Sequence, residues 1–292
     1  MLLNASGCLD ALTAPETARM FDAFVTKTVT PLPRAGSPPV RVAETEHGML
    51  NSIGLANPGR ERFLADVLPR LVELGVSIWV SVGGFTAREY AETCACLGGD
   101  EVGAVELNLS CPNVDEAADS AAAIVSACRE ATPKPLFAKL SPALPDLPEI
   151  AKAVQAAGAD GLSLVNTIRG LTLDERTLRP RLGLAVGGYS GPALKPIALA
   201  AVFTCYRATR MPIVGMGGVA TGRDALELIA AGAAHVALGT VLFADPAAPN
   251  RIRSELEAET AALGLPGVDA LYAIAHQKGV IEKGNPRLTV ET

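Results

Sequence analysis

Two lysines, one cysteine and a set of asparagines are the residues of this chain best suited to chemistry. Lys139 lies inside the apolar run LFAKLS, where a buried ammonium needs an anionic or strongly polar partner. The N1–C2 edge of a reduced flavin is such a partner, because its negative charge is stabilised by a fixed lysine. A Schiff base with a carbonyl substrate is the rival chemistry, since barrel aldolases also carry a lysine on a strand. The amides of Asn51, Asn108, Asn113 and Asn166 suit the edges of planar rings, whereas a sugar-phosphate aldolase would want more acid–base carboxylates. The set favours a flavin.

Cys111 lies in VELNLSCPNV, residues 105–114. An isolated cysteine is usually a small buried apolar residue. Here Pro112 ends the hydrogen bonding of the strand, and Ser110 and Asn113 keep the position polar. A thiol so placed can act as a general base toward a carbon acid, its pKa lowered by Lys27 if that ammonium approaches. GMGGV (215–219) and LGT (238–240) place glycines ahead of helices expected to start near Thr221 and Asp245. Glycine backbones permit close approach and free N–H groups near a helix start favour an anion, so these turns suit a phosphate. A pair of plain tight turns is the alternative.

These groups need a frame that brings them together. Short β-rich runs cover 2–6, 24–28, 78–82, 104–110, 136–140, 161–167, 212–216 and 235–240, with amphipathic segments at 60–74, 87–97, 115–131, 147–157, 192–208 and 222–231 between them. Eight β-α units in one chain of 292 residues describe a TIM (β/α)8 barrel, here expected as a single domain with a helical tail from about 246. Period-two alternation sets Val105, Leu107 and Leu109 on one face of their strand and Glu106, Asn108 and Ser110 on the other. Lys27, Asn108, Cys111, Lys139, Asn166, Thr167, Gly217, Gly218, Gly239 and Thr240 then collect at the C-terminal strand ends, where barrels hold their active sites. Each alone is more often a solvated or turn residue, and it is their shared level that points to function. Two long active-site loops, 30–59 and 168–191, follow strands at that same face.

Hydrophobic residues make up 49% of the chain, enough for a sizeable core, and 31 acids against 25 bases disfavour a nucleic-acid or anionic membrane partner. A small-molecule ligand is expected. No run has the length of a membrane span and the first ten residues lack a signal-peptide pattern, which suggests a cytoplasmic protein. The 6 cysteines form no CxxC pair and the 3 histidines are far apart, so no metal site is expected, and Cys94, Cys128 and Cys205 fall on helical segments as small apolar residues.

NASG (4–7), RVAETEHGMLNSIGLANPG (41–59), ELNLSCPNV (106–114), AKLSP (138–142), NT (166–167), GGYSGPALKP (187–196) and MGGVATGRDALELIAAGA (216–233) together resemble class 1 dihydroorotate dehydrogenase, in wording the NAD-linked class 1B catalytic subunit. The resemblance implies an FMN-containing barrel that oxidises dihydroorotate to orotate in pyrimidine synthesis. It makes Cys111 the base that takes a proton from C5 while a hydride leaves C6 for flavin N5, with Lys27 beside it. Lys27, Asn51, Asn108, Asn166 and Thr167 would hold the substrate, flanked by Ser52, Ile53, Gly54, Leu55 and Asn113. FMN would contact Ser6, Gly7, Lys27, Thr28, Asn108, Lys139, Val165, Gly191, Gly217, Gly218, Gly239 and Thr240. Class 1B enzymes work with a second subunit carrying FAD and a [2Fe-2S] cluster that passes electrons to NAD, which implies a homodimer or heterotetramer; class 1A enzymes use fumarate. The chain itself has neither a cluster motif nor a dinucleotide fingerprint. It departs from the family at Ser81, where an asparagine is usual, and in a short segment after Asn113 without the usual Gly-Gly; an N-terminal hairpin is expected to be missing. Dihydropyrimidine oxidation, a tRNA-dihydrouridine synthase and a phosphate-binding aldolase or epimerase are the competing readings; the acidic charge and absence of a basic extension count against RNA.

Overall fold

The structure, a computed structural model, describes residues 1–109 and 121–277. Its strands in chain order are β1 (Leu2–Asn4), β2 (Phe24–Val25), β3 (Val42–Thr45), β4 (Gly48–Asn51), β5 (Ile78–Val82), β6 (Val102–Asn108), β7 (Leu136–Leu140), β8 (Gly161–Leu164), β9 (Ile168–Leu171), β10 (Val186–Ser190), β11 (Ile213–Met216) and β12 (His235–Leu238). Eight of them form one sheet in the order β1-β12-β11-β8-β7-β6-β5-β2, every neighbouring pair parallel. With helices outside it, this is the expected TIM barrel.

The ring closes between β1 and β2, where the ladder is thin. A single bridge joins Leu3 to Ala23, and the Asn4 side chain supplies the next rung: its Nδ2 donates to the Val25 carbonyl at 2.8 Å and its Oδ1 accepts from the Val25 N–H at 2.8 Å. β2 is shorter than the expected 24–28 strand. Beyond Val25 the Thr26 hydroxyl, rather than a backbone carbonyl, accepts the Ser81 N–H at 3.1 Å.

Alternation along the strands separates two cores. Leu3, Ala23, Val25, Trp79, Ala104, Phe137, Val214, Met216 and Ala237 form a compact cluster inside the barrel, with the Trp79 and Phe137 rings 4.6 Å apart. Val105, Leu107, Leu136, Ala138, Leu162 and Leu164 belong instead to the larger cluster between strands and helices, together with Cys94, Cys128 and Cys205. On β6 the inner positions are therefore Ala104, Glu106 and Asn108, as the alternation predicts.

The helical run expected at 60–74 consists of Arg60–Arg62, a π-helical turn at Phe63–Val67 and Leu68–Val72. Pro69 accounts for the interruption, since it has no N–H to donate and its ring pushes the preceding carbonyls aside. The helix expected near Asp245 is a short turn, Val241–Ala244, followed by Ala248–Ala262, which packs beside Gly222–Ala230. Of the helical segment expected at 115–131, Ala121–Ala131 is helix, and 115–120 lie outside the described residues.

The two long loops are partly strand. β3 and β4 from the first, and β9 and β10 from the second, build one antiparallel sheet in the order β3-β4-β10-β9, with Gly188 opposite Asn51. Ala43, Leu50 and Leu182 form its buried cluster, with Tyr189 packed against it. Residues distant in sequence are thereby joined over one end of the barrel.

Candidate active site

At the inner C-terminal end of the barrel, polar side chains from five strand ends join in one chain of hydrogen bonds. Ser6, after β1, donates to the Thr26 carbonyl at 2.8 Å and meets Thr28 Oγ1 at 3.4 Å. Thr28 Oγ1 meets Ser81 Oγ at 3.1 Å and accepts from Asn108 Nδ2 at 3.2 Å. Asn108 Oδ1 accepts from Asn166 Nδ2 at 3.2 Å, and Asn166 Oδ1 accepts the Thr167 N–H at 2.8 Å. Each amide is thus oriented by its neighbours. Tyr90 adds a further bond from below, donating to the Asn108 carbonyl.

Lys27 runs along Gly7: a Cβ at Gly7, whose φ is +78°, would meet Lys27 Nζ at 3.1 Å. Any other residue there would both strain the backbone and crowd the ammonium. Burial pushes the Lys27 ammonium below the usual lysine range, and the nearby Lys139 charge pushes it further. Lys139, on the inner face of β7, already has an anionic partner in the fold. Its Nζ lies 3.4 Å from Glu106 Oε1, and both groups are buried. The carboxylate two residues before Asn108 is thus an anionic partner that the fold itself supplies to Lys139. Ser163, opposite Lys139 in the β7–β8 register, is buried with its hydroxyl lacking a partner among the described residues.

Asn51 reaches the same end through the antiparallel sheet, donating to the Gly188 carbonyl at 3.2 Å; a Cβ at Gly188 would collide with the Thr167 side chain. Ser52, Ile53, Gly54 and Leu55 are not drawn into the lysine–asparagine array by any hydrogen bond among the described residues. They are tied to the first loop instead, through Ser52 N–H to the Arg41 carbonyl at 2.7 Å and Ser37 N–H to the Ile53 carbonyl at 3.0 Å. Cys111 and Asn113 lie outside the described residues.

Gly217 and Gly218 end β11 with φ of +117° and +80°. Val165, packed 3.2 Å from where a Gly217 Cβ would stand, and the Lys195 backbone beside Gly218 leave no room for a side chain. The expected free N–H groups at Thr221 are taken. Asp224 accepts from the N–H groups of Ala220 and Thr221 at 2.9 Å each, and Glu255 from Gly222 at 2.7 Å. The helix start at Thr221 is thus capped by the fold's own carboxylates, and the glycine turn at Gly217 and Gly218 lies ahead of it. Gly239 and Thr240 remain at the end of β12, Thr240 donating to Ser190 Oγ at 2.8 Å, next to Gly191, which closes on Gly48.

Two residues that sequence reasoning passed over belong here. Glu106 had a signal, its period-two relation to Asn108. Cys8 follows NASG, and its sulfur is 3.5 Å from where a Gly239 Cβ would be; burial pushes its thiol up, so it stays protonated beside Lys139 and Lys27. The donor set suits a planar anionic cofactor: two ammonium groups, a row of oriented amides, an unsatisfied buried hydroxyl and glycine turns at the ends of neighbouring strands.

A barrel with lysines and amides gathered at its C-terminal mouth belongs to the (β/α)8 class, whose enzymes hold their active sites at that face. The family model described as dihydroorotate dehydrogenase matches residues 1–260, so the chain belongs to the dihydroorotate dehydrogenase family. The chain is 44% identical over 265 residues to "Dihydroorotate dehydrogenase B (NAD(+)), catalytic subunit" of Desulforudis audaxviator, covering 88% of this chain and 86% of that protein. It is 41% identical over 283 residues to the protein of the same name from Listeria monocytogenes, covering 92% of each. Among solved structures, ligand-free dihydroorotate dehydrogenase from Eimeria tenella matches with a TM-score of 0.79 at 23% identity, over 94% of this chain and 88% of that one, which shows the common fold.

Proposed function

We propose that this protein is the catalytic subunit of a class 1B dihydroorotate dehydrogenase, oxidising dihydroorotate to orotate in pyrimidine biosynthesis with FMN as cofactor. The observation that carries this reading is the array of Lys27, Asn108, Asn166 and Thr167 at one mouth of the barrel, in a chain whose relatives bear that name. FMN, when bound, supplies the acceptor for the hydride from C6 of the substrate. Ser6, Gly7, Lys27, Thr28, Asn108, Lys139, Val165, Gly191, Gly217, Gly218, Gly239 and Thr240 are the residues proposed to hold it.

The chain's own groups do the rest. Lys27 meets the substrate carboxylate, a charge-assisted bond made stronger by burial. Asn51, Asn108, Asn166 and Thr167 hold the ring amides, with Ser52, Ile53, Gly54, Leu55 and Asn113 around them. Fixing the ring lets a modest base suffice, because the C5 proton is adjacent to a carbonyl. Cys111 is that base. The name "catalytic subunit" in the relatives supports a second subunit that takes the electrons onward; in the proposed reading that subunit carries FAD and a [2Fe-2S] cluster and passes them to NAD, and the assembly is a homodimer or a heterotetramer. A cytoplasmic location and a single barrel domain with the helical tail from about 246 complete the proposal.

The test is anaerobic titration of the purified yellow protein with dihydroorotate, followed by reoxidation with fumarate or, with the partner subunit added, NAD. Cys111→Ser is expected to keep bound FMN and to slow flavin reduction by roughly two orders of magnitude. Unchanged reduction in stopped flow removes Cys111 from the reaction, and a colourless protein removes the flavin, leaving an aldolase or epimerase.

A further inference from the structure

Glu106 is a buried charge that the reaction above does not use. It is 1% exposed on the inner face of β6, and its Oε1 is 3.4 Å from the Nζ of Lys139, which is 5% exposed on β7. The inner column of β6 reads Ala104, Glu106, Asn108: hydrocarbon at the bottom, a carboxylate one pleat higher, and an amide at the rim. Trp79, Ala104 and Phe137 fill the barrel below the pair. Water cannot screen it there, so its electrostatic influence extends to whatever Lys139 touches. Stability gives no reason for such a pair, because well-packed apolar residues in place of a buried ion pair are often neutral or stabilising. A functional reason is needed.

The charges inside the mouth supply one. Lys27 and Lys139 are cationic, Glu106 is anionic, and Cys8 stays a neutral thiol because burial raises its pKa. A hydride carries two electrons and one proton, so its transfer adds one negative charge to the ring that Lys139 holds. The substrate's second proton goes to the base, and the two electrons leave later for the acceptor. An ammonium at the ring favours the added charge, and a carboxylate behind that ammonium opposes it.

Resting on the flavin reading of this site, we propose that Glu106 is a positioning residue acting through Lys139: it keeps the reduction potential of the bound flavin lower than Lys139 alone would set it, so that electrons can pass to a low-potential acceptor of the nicotinamide class. The NAD(+) in the relatives' names fits an acceptor of that kind.

The experiment measures the midpoint potential of bound flavin by anaerobic reduction with a reference dye in the wild type, Glu106→Gln, Lys139→Met and the double variant, together with FMN affinity of the apoproteins by fluorescence quenching. Glu106→Gln should raise the reduced-to-oxidised ratio at a fixed potential about tenfold, which for a two-electron couple is ~30 mV upward. In the Lys139→Met background the same substitution should shift it by less than half as much. If Glu106→Gln does not fold, Glu106→Asp, which keeps the charge but withdraws it from Lys139, should give a smaller rise of the same sign. A potential unchanged or lowered in the Glu106 variant with FMN bound overturns the inference and leaves the proposed function standing, as does an equal shift with and without Lys139. Failure of the wild-type apoprotein to bind FMN overturns both.

Discussion

The inner layer of the barrel and its rim carry the same kind of group under different conditions. Inside, Lys139 is closed off with Glu106 and stands opposite Ser163, whose hydroxyl has no partner among the described residues. At the rim, Lys27 is half-buried along Gly7, without a salt bridge among the described residues, and next to amides already oriented by one another. The difference separates two thermodynamic roles. A charge compensated by the fold answers mainly to folding, and a charge left for an incoming anion answers mainly to binding.

The largest effect should come from breaking the inner layer. Lys139→Met leaves Glu106 buried without its cation and should cost about 3–5 kcal/mol of stability in the apoprotein, measured by urea unfolding. A loss under 1 kcal/mol would mean that Glu106 takes up a proton or finds another partner, and the contrast with the rim would fade. Lys27→Ala should leave apoprotein stability nearly unchanged but weaken orotate binding roughly 10- to 150-fold, as expected for a hydrogen bond to a charged group worth about 1.5–3 kcal/mol; calorimetry reads both.

The pH dependence sharpens the same contrast. Since burial and Lys139 lower the Lys27 pKa, the protonated form that binds an anion is lost at a pH below the ordinary lysine value of 10.5. Orotate affinity in the wild type should therefore fall as pH rises through that lowered pKa, and the Lys27→Ala variant should show no such fall. The smallest effect belongs to Ser163→Ala, expected to be neutral or to stabilise by up to about 1 kcal/mol, because it removes a buried hydroxyl without a partner among the described residues. A loss of more than that in thermal unfolding would reveal an ordered water bonded to Ser163.

Much of this arrangement was legible because it is local. Alternation in residues 104–108 is enough to put Glu106 and Asn108 inside and Val105 and Leu107 outside. The positive-φ turn at Gly217 and Gly218 follows from glycine next to glycine at a strand end. What could not be seen depends on pairing across long separations. The Glu106–Lys139 contact needs the register between β6 and β7, and Asn51 reaches Gly188 across 137 residues, through a sheet made of two segments that look like loops. The capping of the helix start at Thr221 was hidden for the same reason, since Glu255, which takes the Gly222 N–H, comes 33 residues later from another helix. Cys8 gave no signal because a lone cysteine carries none until its neighbours are known.

The Asn4 side chain that stands in for a rung at the seam has one further consequence. A continuous ring has no strand margin to fray, so its breathing must begin where the strand ladder is thinnest, and here that is the seam held by the Leu3–Ala23 bridge, the Asp22 N–H to Leu2 carbonyl bond and the side-chain bonds of Asn4 and Ser6. Replacing Asn4 by alanine would take away both bonds that tie Val25 to the first strand and loosen the closure beside Ser6 and Lys27, and the Val25 amide would be among the first in the barrel wall to trade its hydrogen for deuterium.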